Sequence, residues 1–317
     1  MNVRIARSCA ELDLLRSQWE RLYSPQRHTI FQSFAWNRLA AQFFGDREVP
    51  YVVYAENSSG AALIPAAIAR DRITLLGETL FDYRDVLAAG DSDALIAAWR
   101  QLARLKLPLR LTAVRGQPVQ WAGFKLQPFV AAPLVPVQRQ TAEQFAAAHT
   151  RSGRLVRRLQ RLGAELKRHD GSASELLRSI YEYKAGQFGG KSLFSDRRRI
   201  DFMLAAASLD PTAVDVYTFE TAGALVAAIV TLRDAGVRRF YTTWFDEAWA
   251  HYSPGTALLF EVTRQSLAEA LDSDYMTGTQ FHKQRFATDS VPLFRVETSA
   301  QRLAQLASEI APIELAA

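Results

Sequence analysis

Tyr241-Thr-Thr-Trp-Phe-Asp-Glu-Ala-Trp-Ala-His-Tyr-Ser-Pro-Gly-Thr-Ala-Leu-Leu-Phe260 is the stretch on which the fold turns. It reads as a strand running to Trp244, a short loop, and a helix that begins abruptly at Ser253-Pro254. Serine is a preferred N-cap, and proline suits the first helical position, where its missing N–H would have found no acceptor. Gly255 and Thr256 follow, so almost no side chain crowds the free amides of the first turn. Such a helix start carries partial positive charge and open donors, which favour an anion. A well-capped helix without a ligand has the same local sequence, so the surroundings decide between the two readings.

Immediately upstream, three alternating segments, Val214 to Phe219, Leu225 to Leu232 and Val237 to Trp244, read as a strand meander. Thr221-Ala-Gly223 and Asp234-Ala-Gly236 between them have the chemistry of antiparallel hairpin turns. Before the meander come a basic helix within Arg151–Arg168, a helix from Ser174 to Gly186, a loop Phe188–Phe194, and a helix from Arg197 to Ser208. After it the chain predicts a helix Pro254–Ala270, a short strand near Asp274–Thr277, and a helical turn around His282. A strand Val291–Val296 and a closing helix Ala300–Ile310 follow. The first half runs in a similar order. A strand Val3–Ala6 precedes helices Glu11–Leu22 and Ser33–Gly45, then a hairpin over residues 51–69 and a strand Ile73–Leu76. A helix Asp93–Leu105 and a strand Leu109–Val114 complete it. Residues 116–136 hold four of the chain's 12 prolines and read as a linker or strand crossover. The expected fold class is α+β (mixed α/β): two tandem domains, 1–140 and 141–317, each a mostly antiparallel sheet flanked by helices.

Composition sets limits. The chain has 317 residues, 49% hydrophobic and 22% charged, which suits two globular domains. No run approaches the roughly 18–20 apolar residues that span a bilayer, and Met1–Asp13 lacks the apolar core of a signal peptide. A single cysteine, Cys9, precludes an internal disulfide and suits a reducing, cytoplasmic compartment. The net charge of +5 is compatible with an anionic ligand and too small to imply DNA. Much of the excess is local. Arg151, Arg154, Arg157, Arg158, Arg161, Lys167 and Arg168 face the single acid Glu165, beside an apolar series at Leu155, Leu159, Leu162 and Leu166. That pattern is a solvated face over a buried stripe, or a contact for an anionic substrate or membrane surface. The sequence has no Cys–His cluster for zinc and no Gly-x-Ser-x-Gly elbow, and Phe188-Gly-Gly-Lys-Ser lacks phosphate-loop spacing.

Four stretches together carry a family likeness: Phe31-Gln-Ser-Phe-Ala-Trp36, Asp82-Tyr-Arg-Asp85, Lys191-Ser-Leu-Phe-Ser-Asp196, and Tyr252–Leu259 with Gly278–Phe286 downstream. On them the second half resembles the GNAT acyltransferase superfamily. The whole chain is similar to the CelD-type group of bacterial proteins with two GNAT-like halves, kin to the FemABX aminoacyl-tRNA-dependent ligases. The resemblance implies that backbone amides at the strand-to-helix junction hold the pyrophosphate of acetyl-CoA or another acyl-CoA. Trp244, Phe245, Tyr252, Ser253, Pro254, Gly255, Thr256 and Ala257 are the positions concerned. Tyr252 stands where the family pattern has Gln or Arg, and Thr279 and Gln280 stand where two acids are usual. Gly278, Lys283, Arg285 and Phe286 keep the tail pattern, with His282 where tyrosine is usual.

Acyl transfer needs a proton acceptor, donors for the carbonyl oxygen, and a tolerated leaving thiolate. The oxyanion donor is expected from backbone near Trp244 or Phe245, and the base from His282 or Asp246. Asp82, Tyr83, Arg84 and Asp85, with Lys283 and Arg285, are the expected acceptor-binding residues; a hydrogen-bonded structural turn is the other reading of Asp82–Asp85. The acceptor is a small molecule or, by the family's association, a saccharide. A ligase drawing on aminoacyl-tRNA through the basic segment, or a non-catalytic scaffold, are the rival readings.

Overall fold

A computed structural model of the protein describes residues 1–116, 123–278 and 280–309, with backbone alone for Phe188, Gly189, His282 and Glu309. The chain opens with β1 (Asn2–Ala6), α1 (Cys9–Asp13), α2 (Arg16–Leu22) and α3 (Phe34–Phe44). Strands β2 (Val49–Pro50), β3 (Val52–Glu56), β4 (Gly60–Ile64), β5 (Ala66–Ala69), β6 (Arg72–Leu75) and β7 (Leu87–Gly90) follow. Then come α4 (Asp93–Ala103), β8 (Leu109–Arg115), β9 (Gln127–Val135), α5 (Ala142–Ala148), α6 (Thr150–Arg161) and β10 (Glu165–Asp170). The remainder is α7 (Ser174–Phe188), α8 (Arg197–Leu209), β11 (Val214–Thr221), β12 (Ala224–Asp234), β13 (Val237–Phe245), α9 (Pro254–Ala268), β14 (Asp272–Asp274), α10 (Phe281–Phe286), β15 (Asp289–Thr298) and α11 (Ala300–Glu309). No helix among the described residues is long and apolar enough to cross a membrane.

Two compact units result: residues 1–130 with 292–317, and residues 131–291. This division differs from 1–140 and 141–317, because the closing segment 292–317 belongs to the first unit. Its β15 pairs antiparallel with β8 from Leu293↔Arg115 to Thr298↔Leu109. In the first unit, β1-β3-β4-β7 form one antiparallel sheet, and β15-β8-β6-β5-β2 are ordered side by side. Trp99, Ile64, Val53, Leu102, Leu111 and Leu303 are among the buried side chains of its core. The helix expected over 11–22 is two helices, broken at Leu14–Leu15, and Leu14 is 75% exposed. Ser33 caps α3 through the Trp36 N–H, as its position before an apolar series predicts.

In the second unit the order β10-β11-β12-β13-β14-β9 holds the meander at its centre. Both hairpin turns put two residues at positive φ, Ala222 and Gly223 in one and Ala235 and Gly236 in the other. That is the geometry that matches the twist of a two-residue hairpin. Helices α5, α6 and α9 pack over this sheet, with Phe145, Val156, Leu159, Phe219, Ile229, Leu258 and Phe286 in the core. The predicted basic helix is shorter than its apolar series. It ends at Arg161, where the Ala164 N–H returns to the Leu159 carbonyl (3.0 Å), and Leu162 is 43% exposed. Leu166 lies on β10, and the buried positions of α6 are Ser152, Val156 and Leu159. The proline-rich crossover is a strand, β9, over Gln127–Val135; residues 117–122 of that segment, including Pro118, lie outside the described residues.

Candidate active site

Strand β13 leads straight to α9, and its two neighbours treat it differently. Against β12 it is paired along its length, with a bulge that leaves Tyr241 extra between Thr231↔Phe240 and Val230↔Thr242. Bulges increase local twist and re-aim a strand. Against β14 the pairing is parallel and runs from Val237↔Asp272 to Arg239↔Asp274. There β14 ends, while β13 continues to Phe245. The two strands part beyond this root, which Arg239 braces with ion pairs to Asp274 and Asp234.

The register says which backbone groups face the opening. The Asp246 N–H donates to the Val226 carbonyl at 3.0 Å, so these two residues form a hydrogen-bonded pair. Such pairs alternate in an antiparallel ladder. Ala228↔Trp244 is therefore bonded as well, while the N–H and C=O of Thr243 and Phe245 point away from β12. Of the two expected oxyanion donors, Phe245 offers its N–H to the gap, and the Trp244 N–H is committed to β12. Side chains alternate too. The Trp244 ring lies 5.0 Å from Tyr183 on α7, and Phe245 lies toward α9, where a Cβ added to Gly255 would come 3.2 Å from its Cδ1.

The junction itself departs from a plain capped helix. Ser253 occupies the N-cap position in the left-handed region (φ 53, ψ 50), and its hydroxyl makes no cap bond. The serine thus does not consume a first-turn donor as its position suggests. Pro254 and Ala257 are buried, the Ala257 N–H reaches the Ser253 carbonyl (3.1 Å), and the N–H groups of Gly255 and Thr256 lack intrahelical acceptors by helix geometry. Tyr252 carries the guanidinium of Arg158 over its ring, 4.6 Å from the centroid. A cation from α6 thereby stands at the position where Tyr252 itself offers none. The basic helix and the junction, separate features in the sequence, form one place.

The remaining site expectations sort unevenly. Asp246 accepts from the Ala248 N–H at 3.0 Å and caps the turn that follows β13. His282 lies on α10, and its side chain is outside the described residues, as is Thr279. Gln280 starts α10 through its backbone. Lys283 Nζ donates to the Thr277 carbonyl at 2.7 Å, just past the end of β14, and Arg285 is exposed beside Phe286. Asp82–Asp85 belongs to the first unit, where Tyr83, Arg84 and Asp85 are buried. Arg84 bonds the Thr112 carbonyl and hydroxyl and the Glu78 carbonyl. Asp85 pairs with Arg115, and burial pushes its carboxyl above the ordinary range against that pairing. The Arg84 and Asp85 side chains are thus engaged in internal hydrogen bonds, while the Tyr83 ring lies 6.3 Å from that of Phe31 and its carbonyl accepts from Gln32 Nε2 (2.7 Å). Among the described residues no group of His, Cys, Asp and Glu is placed to hold a metal ion.

Sequence reasoning passed over Lys184. On α7, its Nζ donates to the Thr243 carbonyl at 2.7 Å, and burial, then the charge of Lys283, lowers its pKa to about 8. Its partner is 59 positions away in sequence, so nothing local marks it.

A family model described as an acetyltransferase (GNAT) domain matches residues 146–284, within the second unit. A comparison with curated proteins gives no match. Solved structures of similar fold include a C-terminal domain from Agrobacterium fabrum assigned to a lysylphosphatidylglycerol synthetase (12% identity, 94% of this chain and 96% of that one, TM-score 0.62). FemX (9% identity, 96% and 99%, TM-score 0.59) is another. So is a tandem GNAT protein from the clavulanic acid biosynthesis pathway (11% identity, 94% and 99%, TM-score 0.52). At these identities the likeness is one of fold. Residues 146–284 thus carry a GNAT domain by family match, and the chain as a whole has the fold shared by FemX and the tandem GNAT protein.

Proposed function

We propose that the second unit is an acyltransferase site that takes an acyl group, acetyl in the first instance, from coenzyme A. It passes that group to an amine or hydroxyl of a small molecule or a saccharide. The supporting observation is the open junction: β13 outruns β14, turns the Phe245 N–H to the gap, and delivers α9 with its Gly255 and Thr256 amides uncapped by Ser253. Those amides would hold the pyrophosphate, and Arg158 over Tyr252 supplies the cation that the family pattern places on the chain position of Tyr252. The Phe245 N–H would face the carbonyl oxygen as it becomes negative. Lys283 and Arg285 border the acceptor side.

Titration of the full chain with acetyl-CoA by calorimetry tests this. Saturable binding is expected, and its absence at millimolar ligand would overturn the reading. The position of Arg158, on a helix that also carries Arg151, Arg154, Arg157 and Arg161, favours one second reading: transfer from an aminoacyl-tRNA. That donor would bind with an affinity falling steeply with salt, whereas acetyl-CoA binding would change little.

A further inference from the structure

Lys184 stands where the reaction would take place. The contact of Tyr183 with Trp244 (5.0 Å between ring centroids) seats this turn of α7 on the face of β13 opposite Phe245 and α9. From that face Lys184 Nζ reaches the Thr243 carbonyl at 2.7 Å. This carbonyl is among the backbone groups turned away from β12, so the amine lies on the gap side of the strand. A thioester laid along the gap from the α9 junction would have Phe245 and the helix amides on one face and Lys184 on the other. Asp246 turns its Oδ1 to the Ala248 N–H of the turn it caps.

We propose that Lys184 is the proton acceptor of the transfer step, taking the proton of the attacking amine or hydroxyl in the gap between β13 and β14. The inference rests on the acyl-transfer reading above. The neutral Lys184 amine binds the N–H or O–H proton as the acceptor's lone pair forms a bond to the thioester carbonyl carbon. The carbonyl π pair moves onto oxygen, toward the Phe245 N–H. When the pair returns, the C–S bond breaks and the thiolate leaves with its electrons. The proton on Lys184 passes to the thiolate, so the products are an amide or ester and the free thiol of coenzyme A.

The surroundings suit this duty. An ordinary lysine at pH 7 is neutral in well under 1% of molecules, whereas one titrating near 8 is neutral in about a tenth. Burial is the larger cause of the lowering, and Lys283, anchored on the Thr277 carbonyl, is the charge that adds to it. Other charged groups around α7 are taken up elsewhere: Arg178 by Asp201 of α8 (3.6 Å), Asp196 by Arg198 (3.2 Å). Glu182 is exposed on α7 itself, and Lys191 is exposed on the turn that follows it. From β13 the Thr243 carbonyl meets the Lys184 amine.

Two measurements on the full chain test the proposal. Competitive labelling of Lys184 with acetic anhydride across pH, quantified by peptide mass spectrometry, should show half-maximal reactivity near pH 8. In Lys283→Met the midpoint should move upward. A midpoint above pH 10 in the wild type would overturn the proposal. In the second measurement, thiol release from acetyl-CoA with small primary amines as acceptors is followed against pH. Wild-type kcat/KM should rise through about pH 8. Lys184→Arg keeps the charge and a donor for Thr243 but cannot surrender a proton, so kcat should fall about 10²-fold or more with acetyl-CoA affinity retained. Lys184→Cys alkylated with bromoethylamine restores an amine and should recover much of the rate. An Arg variant with wild-type turnover and pH profile would remove Lys184 as the base and leave the transfer reading standing. A wild type that binds no acetyl-CoA would remove the transfer reading and the base with it.

Discussion

Replacing Gly255 by valine separates the close approach of a ligand from the packing of the helix start. The new Cβ would lie 3.2 Å from Phe245 Cδ1, 3.8 Å from Cε1 and 3.9 Å from Cγ, so its nearest neighbours are atoms of one half-buried ring. A displacement of a few tenths of an ångström accommodates it. Valine also recovers roughly 0.4 kcal/mol of helix propensity relative to glycine. The two effects largely offset, and the stability change should stay within about 1 kcal/mol, a shift of roughly 2–4 °C for a unit of this size. The ligand side is not offset. A phosphate oxygen bonded to the Gly255 amide must pass the valine methyls, and losing one charge-assisted hydrogen bond is worth about 1.5–3 kcal/mol. Acetyl-CoA affinity should therefore fall at least about tenfold. Calorimetry gives the affinity and scanning fluorimetry the melt, on Gly255→Val and on Gly255→Val with Phe245→Leu, which makes room for the side chain. The double variant should recover the stability and not the affinity. Unchanged affinity in a folded Gly255→Val protein would refute the assignment of these amides. Affinity restored by Phe245→Leu would show that the ring, not backbone approach, governs binding.

Arg158→Gln should weaken acetyl-CoA binding about threefold to tenfold by calorimetry, while Arg157→Gln, also exposed but turned about 100° around the same helix, should leave it unchanged. Arg238 is fully buried between Asp215 (3.2 Å), Glu269 (2.8 Å) and Ser266 (2.9 Å); Arg238→Met should cost about 3 kcal/mol in urea unfolding, and a loss under 1 would contradict the network's role. His28, buried with Nδ1 accepting from the Ser24 N–H, has its pKa lowered to about 4, chiefly by burial and then by the charges of Arg115 and Arg27. The unfolded chain binds its proton near pH 6.5, so this contribution is complete above that pH and is lost as pH falls toward 4. The total is at most about 3 kcal/mol, and His28→Gln should flatten the stability profile over that window.

The elements that were legible in the sequence are those whose cause is local. The two hairpin turns, the Ser33 cap and the strand–loop–helix order of 241–260 each follow from residues within a few positions of one another. Strand β10 was not legible, because Glu165-Leu-Lys-Arg-His-Asp170 has no apolar alternation. It is held to β11 by its ladder and by Lys167–Glu220 (2.7 Å) and Arg168–Asp215 (3.0 Å), partners some 50 positions away. Leu166 meanwhile continues the spacing of Leu155, Leu159 and Leu162 closely enough to imitate more helix. The return of residues 292–317 to the first unit depends on the β8–β15 ladder, which no stretch of either strand announces. In the site, Tyr252 was legible as a departure from a pattern; Arg158 above it and Lys184 beside Thr243 were not, since both arrive from other helices.

The gap between β13 and β14 nonetheless has local causes on both sides. On β14, Asp274 Oδ1 accepts from the Met276 N–H at 2.7 Å, an Asx turn that directs the chain off the sheet, and Met276 itself has φ 61. The intervening Tyr275 is buried, with its hydroxyl 2.9 Å from that of Thr263 on α9, its N–H donated to the Pro133 carbonyl on β9 (2.9 Å) and its ring edge-on to Phe240 (5.1 Å), so the departing segment is held by these contacts and no longer by the ladder to β13. On β13, the extra residue at Tyr241 twists the strand in the span where β14 has just ended. Arg239, bound to Asp274 and Asp234, ties the two strands at the root. An Asx turn on one strand, a bulge on the other and an ion pair below them open the sheet at one level. Beyond that level, further along β13, Lys184 reaches the Thr243 carbonyl, Phe245 turns its N–H outward, and α9 begins past the strand's end. Substitutions that close the gap, rather than those that remove a side chain from it, are accordingly the ones that should abolish binding and turnover together.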